Sequence, residues 1–195
     1  MLASRLKISS SEASAVMYID MVQSTKITCQ ISDSDKLRLF YESFINTLSD
    51  IAISHSARII KNGGDSIICY FPKTKDCVEK SAFKEILDCG LEIIHARDVL
   101  NAGLASAGLP ATSYRISIDY GKHEVVKDED LNIVDIFGPT MCVCAKINSL
   151  APPNCMVIGS DLYEIVKSFP DFRFHRYALS FLAVVFLSLC CGKLM

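Results

Sequence analysis

The sequence predicts an α+β sandwich with a ferredoxin-like βαββαβ core, in which helices lie over an antiparallel sheet. Three observations lead there. Strand-like and helix-like segments follow one another in the order β-α-β-β-α-β. The second and third strands flank Asn62-Gly63-Gly64-Asp65, and Asn-Gly between two apolar runs is a hairpin signal. No internal repeat or low-complexity linker divides the 195 residues, half of which are apolar, so one domain with a sizeable core is expected.

Each element has its own signal. Residues 15–20 (AVMYID) are a short apolar run ending in a carboxylate, as in a buried strand whose tip leaves the core. The polar segment 21–25 follows. From Ser34, a candidate N-cap, apolar Leu37, Phe40, Phe44, Leu48 and Ile51 recur at helical spacing to about His55. The hairpin 58–71 (RIIKNGGDSIICYF) comes next. Residues 76–102 form a second long helical pattern with Phe83, Ile86, Leu87, Leu91, Ile94 and Val99 on its apolar side. Gly103, Gly108 and Pro110 mark its end. Residues 114–120 (YRISIDY) alternate and break at Gly121, with Val125 and Val126 as a possible hairpin return and 127–130 as its charged connection. Residues 135–139 read as a turn into a helix over 140–150, with Pro139 in its first turn. Residues 156–158 are a brief strand, and Ser160 caps a last helix to about Ser168.

Composition excludes some partners. A net charge of −2 without a basic block gives no footprint for nucleic acid. Nine cysteines without a C-x-x-C pair, and no leader at residues 1–14, read as reduced thiols in the cytoplasm. His55, His95, His123 and His175 lack metal-ligand spacing, and Cys142 and Cys144 would point to different helix faces, so no metal clip is assigned to them. Arg115 and Lys26 could touch phosphates, but charged strand ends and helix starts are ordinary solvated positions, and neither is assigned a role.

In a βαββ arrangement the first strand lies beside the hairpin, so Asp20 and Asp65 can converge at one sheet edge. Charges at a hairpin tip commonly serve only solubility. Two converging carboxylates, however, raise each other's pKa unless a cation intervenes, and such hard oxygens suit Mg²⁺ with substrate phosphates. Met21, Val22, Gln23, Ser24 and Thr25 would then place backbone N–H groups at a helix start, where a polyphosphate can be cradled.

Four ordered segments, VMYIDMVQST, RIIKNGGDSIICYF, YRISIDYGKHEVV and VDIFGPTMCVCAKINSLAPPNCMVIGSDLYEIV, resemble the catalytic domain of class III nucleotidyl cyclases, the adenylyl and guanylyl cyclases. The resemblance spans about residues 15–166. It implies the nucleotidyl cyclase type of ferredoxin-like fold, a head-to-tail homodimer with shared active sites, and Mg²⁺ or Mn²⁺, two per active site. It sets Asp20 and Asp65 on the metal-binding aspartates, with the Met21 carbonyl as a further ligand, and Lys61 and Asp135 on the base-reading pair. An ammonium donating to ring N1 and a carboxylate accepting from the exocyclic amine suit adenine, so the implied substrate is ATP and the product cyclic AMP. The domain reading is a 1–14 extension, a 15–176 catalytic domain and a 177–195 apolar tail.

Departures from the family pattern are specific. Cys142 stands where an asparagine orients the ribose, and Lys146 where an arginine stabilises the transition state. Lysine keeps charge but loses the planar fork. The late triphosphate lysine has no counterpart except Lys193. The apolar run 177–192 is shorter than the roughly 18 to 20 residues of a spanning helix, which leaves a buried strand pair, a membrane-lying tail or an aberrant frame. These departures set an alternative beside the adenylyl cyclase: a nucleotide-binding regulatory domain with weak or no turnover. A diguanylate cyclase of the GGDEF type ranks far below, since Ser66-Ile67 follows Gly63-Gly64-Asp65.

Overall fold

The computed structural model describes residues 7–128, 133–179 and 182–187, with side-chain surroundings over 11–126 and 135–175. Strands β1 (Lys7–Met21), β2 (Arg58–Asn62), β3 (Ser66–Phe71), β4 (Tyr114–Asp128), β5 (Ile133–Phe137), β6 (Met156–Ile158), β7 (Phe174–Leu179) and β8 (Leu182–Leu187) form one sheet. Its order is β2-β3-β1-β4-β6-β8-β7, with β5 on β4. The helices are α1 (Ser24–Thr28), α2 (Ser34–Ser54), α3 (Lys80–Ser106), α4 (Pro139–Asn148) and α5 (Ser160–Val166). The β2-β3-β1-β4 part, antiparallel throughout, is the expected βαββαβ core, because β3 is inserted between β2 and β1 and β1 between β3 and β4.

Side-chain alternation along β1 and β4 divides the molecule into two layers. Met17, Ile19, Ile116 and Ile118 face α2 and α3, where Phe40, Phe44, Leu48, Phe83, Ile86 and Leu87 are all fully buried. Each such side chain contributes roughly 1.5–3 kcal/mol on burial. The opposite face carries Val16, Tyr70 and Ile136, against which Cys144 of α4 packs.

Several sequence expectations shift. Asp33 rather than Ser34 caps α2, its Oδ1 accepting from Asp35 N and Lys36 N, both at 2.9 Å. A carboxylate one residue earlier reaches the first free N–H groups better. A 3₁₀ turn at Pro72–Cys77 precedes α3, which starts at Lys80 and runs through Gly103 to Ser106. Val99 is 77% exposed, because Leu100, one step of about 100° further round, takes the buried stripe.

Gly121 does not break its strand. The whole of β4 pairs with β1, which itself begins at Lys7. Gly121 instead admits the start of α4, since a Cβ there would stand 2.7 Å from Thr140 Oγ1. Val125 and Val126 therefore continue the same strand, and residues 133–137 form the returning strand rather than a turn. Gly159, not Ser160, precedes the first turn of α5 as its N-cap. The tail adopts the strand-pair form over β7 and β8, docked on β6. Among the described residues no helix is long and apolar enough to cross a membrane. Lys193 and residues 129–132 lie outside the described residues.

Candidate active site

Strand β1 and the β2–β3 hairpin bring the acidic pair together. Asp20 stands opposite Ser66 in the β1–β3 ladder, and Met21 N donates to the Asp65 carbonyl at 2.8 Å. Both side chains are half-buried. Burial pushes the Asp20 carboxyl above its usual range and the Asp65 charge adds to that, while Arg115 pulls the other way. The expected convergence is thus present. Two hydroxyls attend the pair. Ser24 Oγ donates to Asp65 Oδ2 at 2.7 Å, and Tyr18 OH donates to Asp20 Oδ1 at 3.4 Å.

Gln23 turns the chain from β1 into α1 with φ 58° and ψ 34°, a left-handed conformation uncommon for a residue with a side chain. Val22 N is committed to the Ser113 carbonyl at 2.8 Å. The N–H groups of Ser24 and Thr25 begin the helix and have no carbonyl one turn back. A cleft of about 350 Å³ runs beside this turn, lined by Val22, Gln23, Lys26 and Ser113 among others.

Two half-buried carboxylates side by side are hard oxygen donors of the kind Mg²⁺ takes together with phosphate oxygens. Among the described residues no group of three or more His, Cys, Asp or Glu could hold a metal. A cation here would complete its shell from backbone or ligand oxygens, which fits a nucleotide-bound ion.

Lys61 on β2 and Asp135 on β5 lie on strands that do not pair with each other, although β5 comes within 8 Å of β2 between Cα atoms and Ile136 shares a cluster with Ile60. Both are exposed, and they form no ion pair with each other. Asp135 Oδ1 accepts from Ile136 N at 2.9 Å. Cys142 and Lys146, one turn apart on α4, are also exposed. The buried side of that helix carries Thr140, Cys144, Ile147 and Asn148, so Cys142 and Lys146 face away from their own sheet. Lys146 makes no ion pair with Asp20 or Asp65.

Sequence reasoning passed over residues on the same sheet face. Arg115 stands opposite Asp20 in the β1–β4 ladder, and its Nε is buried without a hydrogen-bond partner. Asn148, 1% exposed, donates to the Tyr18 carbonyl at 3.1 Å and the Arg115 carbonyl at 3.3 Å, tying the end of α4 to the strands that hold the site. The alternation of YRISIDY carried the signal, since it sets Arg115, Ser117 and Asp119 on one face. Asp119 is a different case: 3% exposed, it accepts from Leu162 N at 3.2 Å and is pushed up to about 6, by burial first and by Asp161 in smaller part.

No protein-family model matches the chain, and no curated protein matches it in sequence. Solved structures do match. The adenylyl cyclase CyaB from P. aeruginosa superposes with a TM-score of 0.81 at 16% identity, covering 95% of this chain and 98% of that one. The guanylate cyclase domain of RhGC from Catenaria anguillulae, in complex with GTP, gives 0.79 at 15% identity, covering 92% and 98%. A non-canonical dimeric guanylyl cyclase domain of the RhoGC fusion protein from Blastocladiella emersonii gives 0.78 at 16% identity, covering 95% and 98%. The fold is therefore that of class III nucleotidyl cyclase catalytic domains.

Proposed function

We propose that this protein is an adenylyl cyclase, converting ATP to 3′,5′-cyclic AMP and pyrophosphate as a homodimer with shared active sites. The observation that carries the reading is the meeting of Asp20 and Asp65, beside the β1–α1 turn, within a fold shared with adenylyl and guanylyl cyclases. In the reaction the ribose 3′-oxygen attacks the α-phosphorus, the 3′ proton leaves, and the bond to pyrophosphate breaks.

Asp20 and Asp65, with the Met21 carbonyl, would hold Mg²⁺ or Mn²⁺, two per active site. When bound, such cations lower the pKa of an attacking hydroxyl and neutralise charge on a leaving phosphate. The chain's own residues bind and orient. The N–H groups of Ser24 and Thr25 suit phosphate oxygens. Lys61 donates to ring N1 of adenine and Asp135 accepts from its amine. The exposed Cys142 and Lys146 face outward, as residues do that serve a site completed by a second copy. A cytoplasmic location is part of the same proposal, supported by the free cysteines among the described residues.

The second reading, a nucleotide-binding regulatory domain with weak or no turnover, is favoured by Cys142, whose thiol is a weak donor and acceptor for a ribose hydroxyl. The test is incubation of purified protein with ATP or GTP and Mg²⁺ or Mn²⁺, measuring cyclic nucleotide. Cyclic AMP made by wild type and lost in Asp65→Ala supports the cyclase. Metal-dependent ATP binding without product supports the regulatory domain. Formation of cyclic GMP from GTP in preference to cyclic AMP from ATP would overturn the assignment of Lys61 and Asp135.

A further inference from the structure

We infer that the hydroxyls of Ser24 and Tyr18 are positioning groups for the acidic pair, each donating to one oxygen of an aspartate and leaving the other oxygen for a divalent cation. The inference rests on the metal-binding reading above; it gives the Ser24 side chain a part distinct from that of its backbone N–H, and adds Tyr18, to which no motif gave one. Ser24 Oγ meets Asp65 Oδ2 at 2.7 Å, and Tyr18 OH meets Asp20 Oδ1 at 3.4 Å.

The two donors come from different elements and are held independently. Ser24 is the first residue of α1, delivered over the hairpin tip by the left-handed turn at Gln23. Tyr18 lies two residues before Asp20 on β1 and so shares its face, with its ring packed against the cluster of Val16, Tyr70, Ile136 and Cys144. Among the described residues neither aspartate has an ion-pair partner, so each carboxylate would otherwise rotate and present either oxygen. A hydroxyl that donates to one oxygen selects the rotamer and fixes which lone pairs remain. Groups that orient a metal ligand in this way typically change metal affinity by about 10- to 100-fold when removed. The shorter bond marks Ser24 as the stronger of the two.

The experiment titrates Mn²⁺ alone into wild type, Ser24→Ala, Ser24→Thr, Tyr18→Phe and Asp65→Asn, reading free Mn²⁺ by electron paramagnetic resonance. Thermal unfolding of each variant serves as the control on folding. Ser24→Ala is expected to weaken binding about 10-fold and Tyr18→Phe about 3-fold, with unchanged unfolding midpoints. Ser24→Thr, which keeps the hydroxyl, restores affinity to within about 2-fold. If Ser24→Ala and Tyr18→Phe bind as wild type does while Asp65→Asn does not, the positioning role is overturned and the metal site stands. Wild type that fails to bind Mn²⁺, or binds it no better than Asp65→Asn, removes the metal site and this inference with it.

Discussion

Asp20 on β1 and Asp119 on β4 lie on the same face of one ladder, four pairing positions apart, since Asp20 stands opposite Arg115 and Val16 opposite Asp119. Both carboxyls are raised, and burial is the first cause in each. There the likeness ends. Asp119 is enclosed under the start of α5, where a Cβ on Gly159 would fall 2.2 Å from its carboxyl carbon, and Leu162 N donates to it. Asp20 is half open and faces a second carboxylate. A raised carboxyl therefore reports burial, and only a like charge left unmet in an accessible place reports a site.

The largest contrast between the two should be catalytic. Asp20→Ala is expected to cut cyclic-nucleotide formation by about 10²- to 10³-fold, whereas Asp119→Asn, which keeps an acceptor for Leu162 N, leaves the rate within about 2-fold. A comparable loss in both variants, measured at matched folded fraction, would erase the distinction.

Stability should separate them in the opposite direction. The Asp119 carboxyl rises from its ordinary 3.8 to about 6, so its contribution is fully present below 3.8 and is lost as pH rises through about 6. Urea unfolding of wild type and Asp119→Asn between pH 4 and pH 8 should show a difference growing by roughly 2–3 kcal/mol in favour of the variant as pH rises. The buried His123 is shifted down by burial, so its own contribution is present above 6.5 and lost as pH falls through its lowered value. That trend is common to both proteins and cancels in the comparison.

Smaller effects refine the open end. Cys142→Asn is expected to raise turnover on the order of 10-fold, measured as kcat with ATP, if ribose alignment is the defect. An unchanged kcat would count against that account. Gln23→Gly, at φ 58°, should raise stability by about 0.5–1 kcal/mol in urea unfolding by removing the left-handed penalty beside the acidic pair.

Much of this arrangement was legible in the chain. The hairpin at Asn62–Asp65, the brief strand Met156–Ile158 and the stripe of Phe40, Phe44 and Leu48 follow from turn chemistry and spacing within a few residues. Convergence of Asp20 with Asp65 followed from the topology those elements impose. The errors share a cause. Gly121 was read as a break because its reason, the approach of Thr140, lies in another element. Asp135 was read in a turn because its pairing with Val126 depends on the length of β4. Arg115 was set aside because a charged residue near a strand end is ordinary until its neighbour across the ladder is known.

Local order in the chain was sufficient to set most element types, the layer of most apolar side chains and the identity of the paired acids, since these depend on periodicities of two and 3.6 residues. Long-range packing settled which carboxylate is enclosed and which is open, that Ser24 and Tyr18 reach the acids, and that Cys142 and Lys146 point outward. Those outcomes depend on distances between segments tens of residues apart, and no short-range pattern encodes them.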